Sequence, residues 1–196
     1  MMHVRGRNYE QSEPREFPVD SKLALHLINW LMDRDFDPAV GSEIPEGLGE
    51  GHALGFVHKR LMTASIIPVL PIFLNTYFPP NQPRPKRCYR LGQEIRAAVR
   101  DFPLDSRVGI IASGGLSHFT VNEELDQKII RAMKEKDAAT LMSIPINKLK
   151  DGNSEILNWI VLAGAVEDLK LDWAEYYPGY RTPAGTGTGM GFATWS

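Results

Sequence analysis

Between residues 66 and 169, apolar runs of strand length alternate with segments of helical period, and this alternation restricts the fold more than any other feature of the sequence. Residues 66–78 (IIPVLPIFLNTYF) are rich in β-branched and aromatic side chains. They predict a buried strand, and Pro68 and Pro71 put its beginning at an edge or a bulge. Residues 86–102 set Cys88, Leu91, Ile95, Val99 and Phe102 on one helical face. Residues 107–112 (RVGIIA) predict a second short buried strand, which breaks into the turn SGGLSH. A helix over 122–136 turns Leu125, Ile129, Ile130 and Met133 inward. A further helix over 154–169 is apolar nearly all round, so it is expected to be deeply buried. Strand–helix alternation of this kind favours a layered α/β domain, with strand order left open.

The flanks are less regular. Residues 1–18 are polar and charged and read as an arm. Residues 19–34 predict a helix capped by Asp20 or Ser21, with Leu23, Leu27, Trp30 and Leu31 at helical spacing. Residues 36–40 suggest a short strand, and 41–51, with Pro45, Gly47, Gly49 and Gly51, a loop. Pro79, Pro80, Pro83 and Pro85 mark another loop. The tail GYRTPAGTGTGMGFATWS is too glycine-rich for a helix and lacks the Lys-Ser/Thr ending of a phosphate loop. It reads as an extended segment packed against the domain or a partner, not as a nucleotide site.

Composition narrows the classes of function. With 196 residues, 43% hydrophobic and 23% charged, the chain suits one globular domain. A net charge of -2 gives no field for nucleic acid or an anionic membrane. No run approaches the roughly 20 apolar residues of a membrane helix, and the opening residues carry no signal-peptide core. One cysteine, Cys88, allows no internal disulfide and fits a reducing, cytoplasmic setting.

Several residues could carry chemistry. His118 ends SGGLSH, where Gly114 and Gly115 permit a sharp turn and close approach to a ligand. An imidazole at such a strand-to-loop turn suits acid–base work near neutral pH, and it also suits an ordinary surface loop. Glu155, in DGNSEILNW, stands at the start of the buried helix. There it could offer a metal ion a carboxylate oxygen or simply stabilise the helix. His52 and His58, in GEGHALGFVHKRL, are six residues apart, which is wrong for two ligands on one helix face. His52 lies beside glycines and could project from a loop into a pocket, whereas His58, before Lys59 and Arg60, is expected to meet solvent. A hydrolase using Ser117 and His118 is disfavoured, because neighbouring side chains diverge and no orienting acid is evident.

Four segments, IPVLPIFLNTYFPPNQPRPKRCYRLGQEIR, RVGIIASGGLSHF, GNSEILNWIVLAGA and YRTPAGTGTGMGFATW, occur in this order. Together they resemble the type III extradiol ring-cleavage dioxygenases, the family of the protocatechuate and gallate ring-opening enzymes. The resemblance runs from about His52 to the end. It implies an α/β fold, a layered mixed sheet flanked by helices, carried here as a single, incomplete domain over residues 1–196 that lacks the amino-terminal portion. It further implies a ferrous ion, held in that family by two histidines and one glutamate. The family's glutamate ligand falls on Glu155, its acid–base histidine on His118, and a further active-site histidine on His52. The substrates implied are a catechol and dioxygen, and homo- or hetero-oligomers are expected.

The family's two iron-binding histidines have no evident counterpart. His3 lies in the charged arm and His26 in the first helix, whose family equivalent binds no iron. Two readings follow. One is a ring-cleavage dioxygenase whose chain lacks two ligands, with weak ferrous binding and poor turnover by itself. The other is a non-catalytic subunit or interaction module that keeps the fold. No basic residue is assigned to the substrate, although Arg181 and Lys59 are candidates.

Overall fold

Asp20 begins the first helix as the sequence suggests: its side chain accepts hydrogen bonds from the backbone of Lys22 (3.1 Å) and Leu23 (3.0 Å). Helix α1 then runs over Ser21–Met32 and buries Leu27 and Leu31. Residues 2–4, 15–42 and 51–196 are described by a computed structural model, in which the chain divides into two units. The first contains residues 1–73 and 101–104, the second residues 74–100 and 105–196.

In the first unit, Met2–Val4 (β1) pairs antiparallel with Arg15–Phe17 (β2). The rest of the polar arm lies outside the described residues, as do residues 43–50 of the glycine-rich loop. No strand forms over 36–40; Phe36 is instead buried just after α1. His52–Phe56 (α2) continues as a wider π-helical turn, Val57–Leu61. The turn buries Val57 and His58, and the His58 ring stacks on Phe17 at 3.7 Å with the planes 2° apart. His58 therefore does not meet solvent, because its ring supplies a flat apolar face that the wider turn directs onto an aromatic partner. The first unit also pairs His26 with Asp101 at 3.8 Å.

The second unit is built on Pro85–Asp101 (α3), of which residues 85–100 belong to it, and on His118–Thr120 (β3), Glu123–Lys134 (α4), Ala138–Met142 (α5), Ile156–Ala165 (α6), Leu171–Tyr180 (β4) and Thr186–Trp195 (β5). Pro85 occupies the first position of α3, where its missing N–H costs nothing. Asn122 caps α4 through the Leu125 N–H at 3.0 Å. Acidic residues lead α4 and basic residues end it, complementing the helix dipole. Cys88, Leu116, Ile129, Leu141, Leu149, Ile156, Leu157 and Ile160 form the core. Burial pushes the Cys88 thiol up to about 12.

The sheet is small and antiparallel, in the order β3-β5-β4. The glycine-rich tail is its central strand. Three inward positions, Gly187, Gly189 and Gly191, are glycines because β5 there lies directly on other groups: a Cβ on Gly191 would come within 2.9 Å of the Trp159 ring. Both apolar runs expected as strands turn out otherwise. Residues 66–78 and 107–112 form no strand, and in them Ile66, Ile67, Ile72, Phe73, Val108 and Ile111 are exposed. Proline removes two backbone donors from the first run, and neither run has a ladder partner among the described residues. Asn75 folds the end of the first run into a turn, bonding the Phe78 carbonyl at 2.7 Å.

Two contacts fix α3 against α6. A Cβ on Gly92 would lie 1.9 Å from the Val161 carbonyl oxygen, and one on Gly164 would lie 2.0 Å from that of Tyr89. At the end of α6, Glu167 accepts hydrogen bonds from Tyr89 (3.0 Å), Gln93 (2.9 Å) and Arg96 (2.5 Å) of α3. Burial opposes ionisation of Glu167, but the bonds from Gln93, Arg96 and Tyr89 outweigh it and hold its carboxyl below the usual range.

Two expectations follow. Gly92→Ala forces backbone apart and destabilises the protein by about 1–3 kcal/mol, whereas Gly109→Ala, with nothing within 4 Å, is near neutral; equal urea midpoints would refute this. Because the folded pKa of Glu167 is depressed, its contribution is present above the unfolded value, for which 4.5 is the reference, and is lost as pH falls through the folded one. The melting-temperature gap between wild type and Glu167→Gln therefore narrows on acidification below that value, and a constant gap between pH 7 and pH 3 would contradict it.

Candidate functional site

The turn SGGLSH is tied to the start of α6 by three bonds. The Gly115 N–H donates to Glu155 Oε2 (2.8 Å), Trp159 Nε1 to the Gly114 carbonyl (3.1 Å) and Asn158 Nδ2 to the Ser113 carbonyl (3.1 Å). Glu155 ends a short 3-10 turn, Asp151–Glu155, and makes no capping bond to α6. Its carboxylate reaches across to the glycine turn instead. Gly114 takes φ +153°, a conformation that side chains rarely adopt.

His118 sits against this carboxylate, with Nε2 3.5 Å from Glu155 Oε2. The ring lies in a slot left by two missing side chains. A Cβ on Gly115 would come within 2.8 Å of His118 Cε1, and one on Gly152 within 2.3 Å of His118 Cβ. The His118 N–H donates to Asn153 Oδ1 at 2.7 Å. His118 Nδ1 lies 3.0 Å from the Leu116 carbonyl, which can only accept, so the bond requires Nδ1 to carry the proton. In the neutral ring Nε2 then presents a lone pair beside the carboxylate. Both side chains are partly exposed, at 21% and 32%.

Beneath the turn lies a carboxylate that the sequence does not single out. Asp126, on α4, is fully buried. It accepts from the Ser117 N–H (2.8 Å), the Ser117 hydroxyl (2.6 Å) and the Tyr176 hydroxyl (2.8 Å). Ser117 is fully buried and its hydroxyl committed, so it offers no nucleophile. Asn153 also goes unnoticed in the sequence. The one signal for either was position, three residues before a helix-start motif for Asn153's neighbourhood and the first turn of α4 for Asp126.

Of the expected site residues, the structure brings His118 and Glu155 together. His52 belongs to the other unit, where it opens α2 as an exposed residue and not as part of a loop. His26 Nε2 lies 3.8 Å from Asp101 Oδ2 in that unit, and the backbone of His3 stands opposite Glu16 in the β1–β2 ladder. Among the described residues no three His, Cys, Asp or Glu side chains assemble as a metal-holding group. The site as described supplies one carboxylate and one imidazole, short of a three-ligand set. Among the described residues no helix is long and apolar enough to cross a membrane.

Comparisons with known proteins point to one family. A 2,3-dihydroxyphenylpropionate/2,3-dihydroxicinnamic acid 1,2-dioxygenase of Comamonas testosteroni is 39% identical over 100 residues, covering 51% of this chain and 30% of that protein. A gallate dioxygenase of Pseudomonas putida is 28% identical over 199 residues, covering 91% of this chain and 55% of that protein. The chain thus spans between about a third and about half the length of these relatives. The family described as the catalytic LigB subunit of aromatic ring-opening dioxygenase matches residues 7–191. The chain belongs to this LigB family of aromatic ring-opening dioxygenases.

Proposed function

We propose that the chain carries part of the active site of an extradiol dioxygenase, which opens the ring of a catecholic compound beside its two hydroxyls in aromatic catabolism. The approach of His118 Nε2 to Glu155 Oε2 carries this reading. A neutral imidazole with Nδ1–H given to Leu116 keeps an open lone pair, and so accepts a proton from a substrate hydroxyl and returns it later. Glu155 supplies one anionic oxygen ligand, oriented by the Gly115 N–H. Ferrous iron is the metal this family resemblance suggests, and the two histidines of its ligand set would come from outside the described site. His52 is a further active-site candidate within this proposal. The enzyme is taken as cytoplasmic, with residues 1–196 as one domain that other strands would complete into a layered mixed sheet.

A second reading has its own support. The exposed apolar side chains in 66–73 and, separately, Val108 and Ile111 in 107–112 suit burial against a partner chain. On this reading the chain is a subunit in a homo- or hetero-oligomer, catalytic only with its partner or not at all.

Two measurements test the function. In an anaerobic titration the isolated chain binds ferrous iron weakly and Glu155→Ala removes the remaining heat; tight one-to-one binding would overturn the missing-ligand reading. In any preparation that consumes oxygen with a catechol, alone or with a partner, His118→Ala lowers kcat about 10²–10⁴-fold with little change in KM. An unchanged kcat rules out the acid–base role of His118.

A further inference from the structure

We infer that Asp126 is a positioning residue for His118, clamping the Leu116–Ser117–His118 backbone so that the imidazole is held with its proton on Nδ1 and its Nε2 lone pair turned to Glu155. The inference rests on the reading above only for the purpose it gives to His118; the clamp itself is visible in the hydrogen bonds.

A carboxylate removed from water costs several kcal/mol unless its oxygens are satisfied. Asp126 is fully buried, and each oxygen is engaged. Oδ1 takes the Ser117 N–H, while Oδ2 takes the Ser117 and Tyr176 hydroxyls. The Ser117 hydroxyl has a fixed direction, because its oxygen accepts the Asn122 N–H at 2.8 Å while its proton goes to Asp126. Burial, then the hydrogen bond to Asp126, push the Tyr176 hydroxyl up, so it remains a donor at neutral pH. One carboxylate thus joins α4, β4 and the site turn. Strand β5 approaches it too: a Cβ on Gly189 would stand 1.9 Å from Asp126 Oδ2.

Two of the three bonds go to Ser117, and this placement separates positioning from general support of the core. Ser117 lies between the carbonyl that receives His118 Nδ1 and His118 itself. Either side of it is pinned by β5, through Leu116 N–H to Gly189 O (2.9 Å) and Gly189 N–H to Ser117 O (2.8 Å). The backbone must curl tightly for a ring to bond a carbonyl two residues earlier. Phe119, directly after, takes φ +64°, a left-handed conformation that costs energy in a residue of this size. Asp126 holds the middle of that curl. An apolar side chain of similar size would fill the space but leave the Ser117 N–H buried without an acceptor.

The test uses the full chain with ¹⁵N-labelled histidine, without metal, at a pH where His118 is neutral. Long-range proton–nitrogen correlation spectra report which ring nitrogen carries the proton. Wild type is expected to show His118 with the proton on Nδ1. Asp126→Asn, similar in volume, shifts it towards the Nε2-protonated form that an unconstrained side chain favours. Tyr176→Phe, which removes the bond not made to Ser117, leaves the tautomer unchanged. If Asp126→Asn does not fold, Ser117→Ala takes its place and gives a partial shift in the same direction. A wild-type ring protonated on Nε2 overturns the inference. So does a folded Asp126→Asn, or in its place Ser117→Ala, with an unchanged tautomer, and so does an equal shift in Tyr176→Phe. Where ring cleavage is measurable, Asp126→Asn lowers kcat about 10- to 100-fold with KM little changed. A shifted tautomer with an unchanged kcat supports the clamp and removes the catalytic role of His118, so the two ideas fail separately.

Discussion

The site depends on one short connection, the Gly115 N–H bonded to the Glu155 carboxylate. It turns a residue at a helix start away from capping that helix and towards a loop distant in sequence. Trp159 and Asn158, both about one turn further on in α6, grip the loop at Gly114 and Ser113. The loop is therefore registered against α6 at three successive carbonyl or amide groups. The His118 ring fits only because no side chain grows from Gly115 or Gly152. A carboxylate and an imidazole are held together by backbone contacts that leave their reactive atoms to other partners. The Gly115 N–H fills only one of about four acceptor positions on the Glu155 carboxylate.

Where the sequence announces structure locally, it is readable. Asp20 and Asn122 are caps, and α1, α3 and α4 carry their apolar stripes at helical spacing, so their bounds fall within a few residues of expectation. Strands are different, because a strand is defined by its partner. RVGIIA has the composition of a buried strand and pairs with nothing among the described residues. LDWAEYYPGY contains Pro178 and Gly179 and attracts no such reading, yet it forms a ten-residue strand that pairs with β5 along its length, with one irregularity between Leu171 and Trp173. The helix expected over 154–169 is shorter at both ends, because residues 151–155 wind as a 3-10 turn and the helix closes at Val166.

The candidate site was legible through resemblance more than through spacing. His118 and Glu155 each have an ordinary alternative explanation in the sequence, and what the structure adds is their mutual approach at 3.5 Å. Asp126 was invisible for a physical reason. It shares the first turn of α4 with Glu123 and Glu124, and any acid there reads as complementing the helix dipole. Its distinction is burial, which depends on Tyr176 and Gly189 arriving from strands that the sequence did not reveal. His58 misled in the opposite direction: beside Lys59 and Arg60 it looked like a surface residue, but its ring is buried face to face on Phe17.

The exposed apolar runs and the site make different demands on the fold. The groups that position His118 and Glu155 come from α4, α6, β4, β5 and the turn between 113 and 118, all in the second unit. The core under them is closed by Leu116, Ile129, Ile156 and Ile160, each essentially inaccessible. Within that unit, residues 107–112 supply no hydrogen bond to this arrangement. Covering those runs with further strands would add buried area without being required to set the His118–Glu155 geometry. The placement of His118 against Glu155 is thus set within the second unit, by bonds that need no cover over either run. On the function proposed above, a partner would add ligands beside a carboxylate that the Gly115 N–H already orients, and the position of the His118 ring would not wait for it.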